Sequence, residues 1–156
     1  MLHFVSENRK ITGIDYDKNK IDVANNCISK NNQINFIYGD ALNVDFEKTD
    51  VFVLSDILHY LSEEKQKQLI EKCINNLNNN GIIIIRDANT ELKKRQIVTV
   101  FTEMFSTKTG FNKVGKNKLF FTSSSKIKEI VSANGMTMEI LDNTKFTSNL
   151  VYIIKK

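Results

Sequence analysis

The sequence predicts an α/β fold: a mixed, mostly parallel sheet with helices on both faces and a C-terminal antiparallel hairpin. Three observations lead there. Short apolar runs rich in β-branched residues alternate with stretches whose apolar residues recur every three or four positions. The run Ile82–Ile85 is apolar enough to be a central strand. The last two strand-like runs, Met136–Leu141 and Leu150–Ile154, are separated only by Asp142–Asn149, and a hairpin is the economical way to join them.

Each element has its own signal. Lys10–Ile14 is a short β-branched run ending in Asp15 and Asp17, a strand feeding a helix on which Ile21, Ala24 and Ile28 share one face. Ile34–Tyr38 is a second strand, stopped by Gly39-Asp40. The tetrad Val51-Phe52-Val53-Leu54 predicts a strand buried on both faces. Ser62 is expected to N-cap the next helix, with Glu63 and Glu64 in its first turn. Leu69, Ile70, Cys73, Ile74 and Leu77 line that helix, and Gly81 is expected to end its tail as a C-cap glycine. Glu91–Phe105 has a helical pattern and Ser106–Asn117 a polar loop. A Ser-rich start at Ser123–Ser125 opens a last helix, which ends at Asn134-Gly135.

The 156 residues, 41% hydrophobic, suit a single domain spanning 1–156, with no repeat or linker. Cys27 and Cys73 match no metal-binding or disulfide spacing, so reduced thiols and no metal are expected. The N-terminus lacks the apolar region of a signal peptide, and nothing approaches the ~20 apolar residues of a membrane span, which points to the cytoplasm. A net charge of +4 is spread over lysines scattered among acids, so no nucleic acid is indicated as partner.

In open α/β sheets ligands bind at the carboxyl ends of the strands. Asp15, Asp40, Ser55-Asp56 and Arg86-Asp87 stop four successive apolar runs. A carboxylate at such a strand end can accept both hydroxyls of a ribose, and one preceded by glycine can accept from an adenine amine. Asp15 fits the first role and Gly39-Asp40 the second.

The residues Gly13-Ile14-Asp15-Tyr16-Asp17, then Tyr38-Gly39-Asp40-Ala41, then Asp50 through Leu61 resemble three successive motifs of class I (Rossmann-like) S-adenosylmethionine-dependent methyltransferases. Asn134-Gly135-Met136 before two strands resembles that family's closing helix and hairpin. The match runs from residue 10 onward; each motif is weak alone, and their order and spacing together are specific. The resemblance implies S-adenosyl-L-methionine as cofactor, with Asp15 on the ribose, Asp40 on the adenine amine and Ala41 near the ring. It places Leu54 and Ser55 beside the methionine part, and Asp56, His59 and Tyr60 near the methyl-transfer side. It implies methylation of an oxygen, nitrogen or carbon of a small-molecule acceptor. Should the acceptor need a general base, His59, Asp56 and Asp87 are the candidates, in that order.

The family's first motif, a strand and a glycine-rich turn, is not in the sequence. In dinucleotide-binding folds the ribose acid lies about 20 residues after the comparable turn, and counting back from Asp15 passes Met1. No glycine precedes Gly13, and Leu2–Ser6 reads as the end of the helix after the turn. The expectation is a domain lacking its first strand and glycine-rich loop: a truncated gene product, a mis-chosen start codon, or the C-terminal piece of a longer chain. The strands ending at Asp15 and Leu54 would then be left with unpaired edges or close on one another.

Other readings fit less well. Gly110–Asn117 comes within one residue of a P-loop, but Asn117 replaces the required hydroxyl and the segment follows a helical pattern. An NAD-dependent dehydrogenase would share Asp15 but not Gly39-Asp40. The alternative from a different class is a non-catalytic, methyltransferase-like remnant that binds no cofactor alone. The family varies its acceptor pocket in the region of Thr90–Asn117, where Phe101, Met104, Phe105 and Phe111 suit an apolar or aromatic acceptor.

Overall fold

The structure is a computed structural model that describes residues 8–27, 31–91, 119–142 and 148–156. The chain divides into two compact units, Met1–Asp45 and Phe46–Lys156, each with its own sheet.

In the first unit β1 (Ile11–Asp15) and β2 (Ile34–Tyr38) are joined through helix α1 (Lys18–Asn25). The strands are parallel, with Ile11 opposite Ile34 and Asp15 opposite Tyr38. Asp17 caps α1, its side chain accepting from the Asn19 amide. Ile21, on the helix face expected to be apolar, is buried, while Ile28 lies outside the described residues. The Phe36 ring lies close over Gly13: a Cβ there would meet its Cδ1 at 2.8 Å.

The second unit contains β3 (Thr49–Ser55), a 3-10 turn (Leu58–Tyr60), α2 (Glu63–Asn75), β4 (Leu77–Ala88), α3 (Ser124–Ala133), β5 (Thr137–Leu141) and β6 (Asn149–Lys155). The strand order is β3-β4-β6-β5. β3 and β4 are parallel, and β6 runs antiparallel to both β4 and β5. The C-terminal hairpin is therefore present, with its second strand inserted next to β4.

The core follows from strand alternation. Ile83 and Ile85 on β4 and Tyr152 and Ile154 on β6 are fully buried, together with Leu69, Ile70 and Cys73 of α2 and Ile127 and Val131 of α3. The two helices pack on each other, α2 on β4 and α3 on β5, so the described helices of this unit cover one face of its sheet. Fully burying one such aliphatic side chain contributes about 1.5–3 kcal/mol. Ser123 caps α3, its hydroxyl accepting from the Lys126 amide. Gly135, at φ 69°, ends it in a left-handed turn in which the Met136 amide donates to the Val131 carbonyl.

Two expectations are corrected. α2 stops at Asn75, capped by Asn76, and Leu77–Gly81 belongs to β4 rather than to a helix tail closed by Gly81. Strand pairing wins because Leu77 sits opposite Thr49 and Ile82 opposite Val51, so the intervening residues bulge past one residue of β3. Gly81 is required there for close approach, since a Cβ would meet the Asp50 carbonyl oxygen at 2.8 Å. The tetrad of β3 is also not buried on both faces: Leu54 is 8% exposed, but Val51 and Val53 are 47% and 49% exposed. They alternate away from the face that the helices cover. Ser62 does occupy the N-cap of α2, with Glu63 and Glu64 in the first turn, but makes no side-chain capping bond.

Among the described residues, no strand pairs with the edge of β1 away from β2 or with the edge of β3 away from β4. The apolar and near-P-loop residues of 92–118 lie outside the described residues.

Candidate functional site

The first unit presents a rim where two parallel strands end side by side. Asp15 closes β1 and Gly39-Asp40 follows β2, and the Gly39 amide donates to the Asp15 carbonyl at 3.0 Å. The two sequence-predicted acids are thus brought to neighbouring strand ends. Asp15 Oδ1 accepts the Asp17 amide at 2.8 Å, which orients the carboxylate. Asp40 is exposed; its Oδ1 accepts the Leu42 amide at 2.9 Å and its Oδ2 the Asn43 side chain at 3.2 Å. Gly39 has no room for a side chain, because a Cβ would meet Val44 at 2.6 Å. Ala41 follows in the same turn, half-buried.

A cavity of about 210 Å³ adjoins this strand end, lined by Gly13, Ile14, Ile21, Ala24 and Phe36, with Asp15 and Lys20 as its charged members. An acceptor carboxylate beside an apolar hollow suits a nucleoside, whose sugar hydroxyls donate and whose base is flat and apolar on its faces. Tyr16, 52% exposed, stands next to Asp15. Partial burial, together with the charges of Asp15 and Asp17, raises its phenol above the ordinary value.

The second unit gathers its polar groups at the carboxyl ends of β3 and β4, where Ser55 is in register with Arg86. Leu54 is buried and Ser55 exposed. Asp56 has φ 53°, a left-handed conformation that costs a non-glycine residue on the order of 1 kcal/mol. Its amide donates to the Arg86 carbonyl at 2.8 Å, the Arg86 guanidinium pairs with its Oδ2, and the Ser55 hydroxyl lies 3.1 Å from the same oxygen. Asp56 is thus already engaged by a cation.

His59 and Asp87, both expected as candidate bases, form one buried unit. His59 Nδ1 lies 2.6 Å from Asp87 Oδ1, with the side chains 2% and 0% exposed. Asp87 Oδ2 accepts the Leu58 amide at 2.7 Å and Oδ1 the Ala88 amide at 2.8 Å. A carboxylate that already accepts backbone amides on both oxygens is the acceptor toward the ring, so Nδ1 carries the proton. The His59 ring packs against Tyr60 and Phe121, with centroids at 4.1 Å and 5.8 Å. The His59 carbonyl accepts the Phe120 amide at 2.8 Å, which ties the turn to the strand-like segment before α3.

Sequence reasoning missed two pairings and one residue of this arrangement. Arg86 was legible as a strand-end residue, but its pairing with Asp56 follows from β3–β4 register. The contact between His59 and Asp87 spans 28 positions. Gln66 is 3% exposed on the apolar side of α2, and its Nε2 reaches the carbonyls of Leu58, Leu61 and Phe120 at 3.0, 3.0 and 2.6 Å. A polar residue three and four positions before Leu69 and Ile70, on the face they bury, is the signal that could have revealed it.

Comparison with known proteins follows the same lines. Residues 1–81 match the family described as a methyltransferase domain. The carboxy-S-adenosyl-L-methionine synthase of Ruthia magnifica is 29% identical over 97 residues, covering 58% of this chain and 40% of that protein. The phosphoethanolamine N-methyltransferase of Plasmodium falciparum is 34% identical over 77 residues, 48% of this chain and 29% of that one. The chain thus spans two fifths or less of the length of these relatives. Human N-acetylserotonin methyltransferase, solved in complex with S-adenosylmethionine, superposes with a TM-score of 0.71 at 17% identity, over 99% of this chain and 42% of that chain. The fold, the order of its strand-end residues and the family match over more than half the sequence agree: the chain belongs to the S-adenosylmethionine-dependent class I methyltransferases.

Proposed function

We propose that this chain takes part in methyl transfer from S-adenosyl-L-methionine to a small-molecule acceptor, at oxygen, nitrogen or carbon. The observation that carries the reading is the placement of Asp15 and Gly39-Asp40 at the ends of adjacent parallel strands. Asp15 accepts from the ribose hydroxyls, Asp40 from the adenine amine, and Gly39 and Ala41 let backbone approach the ring. Within the second unit, Leu54, Ser55 and Tyr60 are the residues that the family resemblance assigns to the methionine part and the transfer side. The cofactor supplies, when bound, a methyl group that is already activated. The protein's work is then alignment and, for an acceptor that is not ionised, removal of a proton.

His59 is the group for that proton. With Nδ1–H held by Asp87, Nε2 is the nitrogen with basic character, and the carboxylate stabilises the imidazolium that proton removal creates. Asp56, paired with Arg86, ranks behind it. Asp87, with both oxygens already accepting hydrogen bonds, orients His59 instead of acting on the acceptor. A small-molecule acceptor is supported by the names of the relatives, one of which methylates phosphoethanolamine.

Titration calorimetry with S-adenosyl-L-methionine and its demethylated product tests the reading. Asp15→Asn removes a charge-assisted acceptor, a loss of about 1.5–3 kcal/mol or roughly ten- to hundredfold in affinity. Asp40→Asn should act in the same direction. Equal affinity of the wild type and both variants would sink the assignment. The second reading, a chain that keeps the fold and binds no cofactor alone, draws on the open edges of β1 and β3 among the described residues. Absence of heat with either ligand would favour it.

A further inference from the structure

Asp56 and His59 lie three residues apart on the segment that leaves β3, and their partners Arg86 and Asp87 are consecutive on β4. Side chains of consecutive strand residues point to opposite faces of a sheet. The segment is therefore fastened to β4 on both faces, by an exposed ion pair at Asp56 and a buried hydrogen bond at His59. Between these two points the chain turns. Asp56 takes the left-handed conformation at φ 53°, and Leu58–Tyr60 then winds into the 3-10 turn that puts the Leu58 amide and the His59 ring on Asp87. An aspartate tolerates that conformation better than most residues with a Cβ, but still at a cost on the order of 1 kcal/mol that local contacts help to offset.

The help comes from Arg86. Its guanidinium holds the Asp56 carboxylate and its carbonyl accepts the Asp56 amide. Ion pairs this exposed add little to global stability, and global stability is not what this one supplies. It acts against one local backbone preference, at the residue where the chain must turn for His59 to reach Asp87.

We propose that Arg86 is a positioning residue for His59: by holding Asp56 in its left-handed conformation it fixes the turn that seats the His59 imidazole on Asp87. The inference rests on the proposed role of His59 in proton removal. Its test reads the imidazole directly, so a failure of the methyl-transfer reading leaves the test intact.

The readout is the Nδ1–H proton of His59 in the 15N-labelled chain, through its hydrogen-exchange rate and the ring-nitrogen shifts that report the tautomer. Arg86→Gln should raise the exchange rate at least tenfold and mix the tautomers. Asp56→Gly, which removes the backbone preference that Arg86 opposes, should make Arg86 dispensable. The double variant Asp56→Gly with Arg86→Gln should therefore exchange within about threefold of the wild type. Unchanged exchange in Arg86→Gln would overturn the proposal, and so would a double variant as perturbed as Arg86→Gln alone. Should Arg86→Gln fail to fold, a folded double variant with the wild-type tautomer supports the proposal, and an unfolded one overturns it.

Discussion

The two units carry their polar strand ends in different ways. In the first, Asp15 and Asp40 accept from residues two or three positions away, Asp15 half-buried and Asp40 exposed. In the second, Asp87 accepts from residues 28 and 29 positions away and is fully buried. The difference separates two tasks. The carboxylates proposed to meet a ligand's hydroxyls and amine are shaped by their own turns. A carboxylate that must fix a histidine is taken out of water, and everything around it, from the Leu58 amide to the Gln66 bridge, has to be in place before it is satisfied. Removal of such a residue is costly because its partners stay buried.

This contrast can be broken by mutation. The largest effect is expected for Asp87→Ala, which leaves His59 and the Leu58 amide buried without their acceptor. Breaking a buried pair of this kind costs about 3–5 kcal/mol, to be read as a lower urea midpoint for the second unit's amide signals. Leu69→Ala, at a site with no exposure, should cost about 3 kcal/mol by the same measure. The counterpart in the first unit is Asp40→Ala, expected to change stability by no more than about 0.5 kcal/mol while weakening cofactor binding. A loss of 2 kcal/mol or more there would erase the distinction between the open and the buried carboxylate.

Glu91 gives a smaller, pH-dependent effect. The Ser125 hydroxyl and amide donate to its carboxylate and hold its pKa below the ordinary value of 4.5. A lowered folded value means that the stabilisation is complete above the unfolded value and is lost as pH falls through the folded one. Glu91→Gln should therefore be slightly less stable than the wild type at pH 7, and the gap should close as the solution is acidified past 4.5. A gap that widened on acidification would contradict the assignment. The smallest perturbation is chemical. Cys27 is exposed, whereas burial pushes the Cys73 thiol up to about 12. Iodoacetamide at neutral pH should label Cys27 alone in the folded chain and both cysteines after denaturation.

Much of this was legible in the sequence where the cause is local. Asp15, Gly39 and Asp40 were readable because a strand end, a glycine and an acid are neighbours in the chain. The start of the last helix at Ser123–Ser125 and its end at Asn134-Gly135 were readable for the same reason. The course of Leu77–Gly81 was not, because helix periodicity runs smoothly through Leu77 and only pairing with Thr49 and Val51 pulls the segment into β4. Nor was the exposure of Val51 and Val53, since an apolar tetrad does not say which of its faces a helix covers. The pairs Asp56–Arg86 and His59–Asp87 both depend on the register of β3 against β4, which no residue of either strand specifies alone. His59 and Asp87 were therefore each visible as candidates, but not that they form one buried pair.

The central claim is that the first unit's rim grips the nucleoside of S-adenosyl-L-methionine. An amide chemical-shift map of the 15N-labelled chain, titrated with the demethylated product, tests it most directly. Saturable shifts are expected at Asp15, Tyr16 and Gly39 through Leu42, abolished in Asp15→Asn. Saturable binding that leaves those six amides unmoved would contradict it.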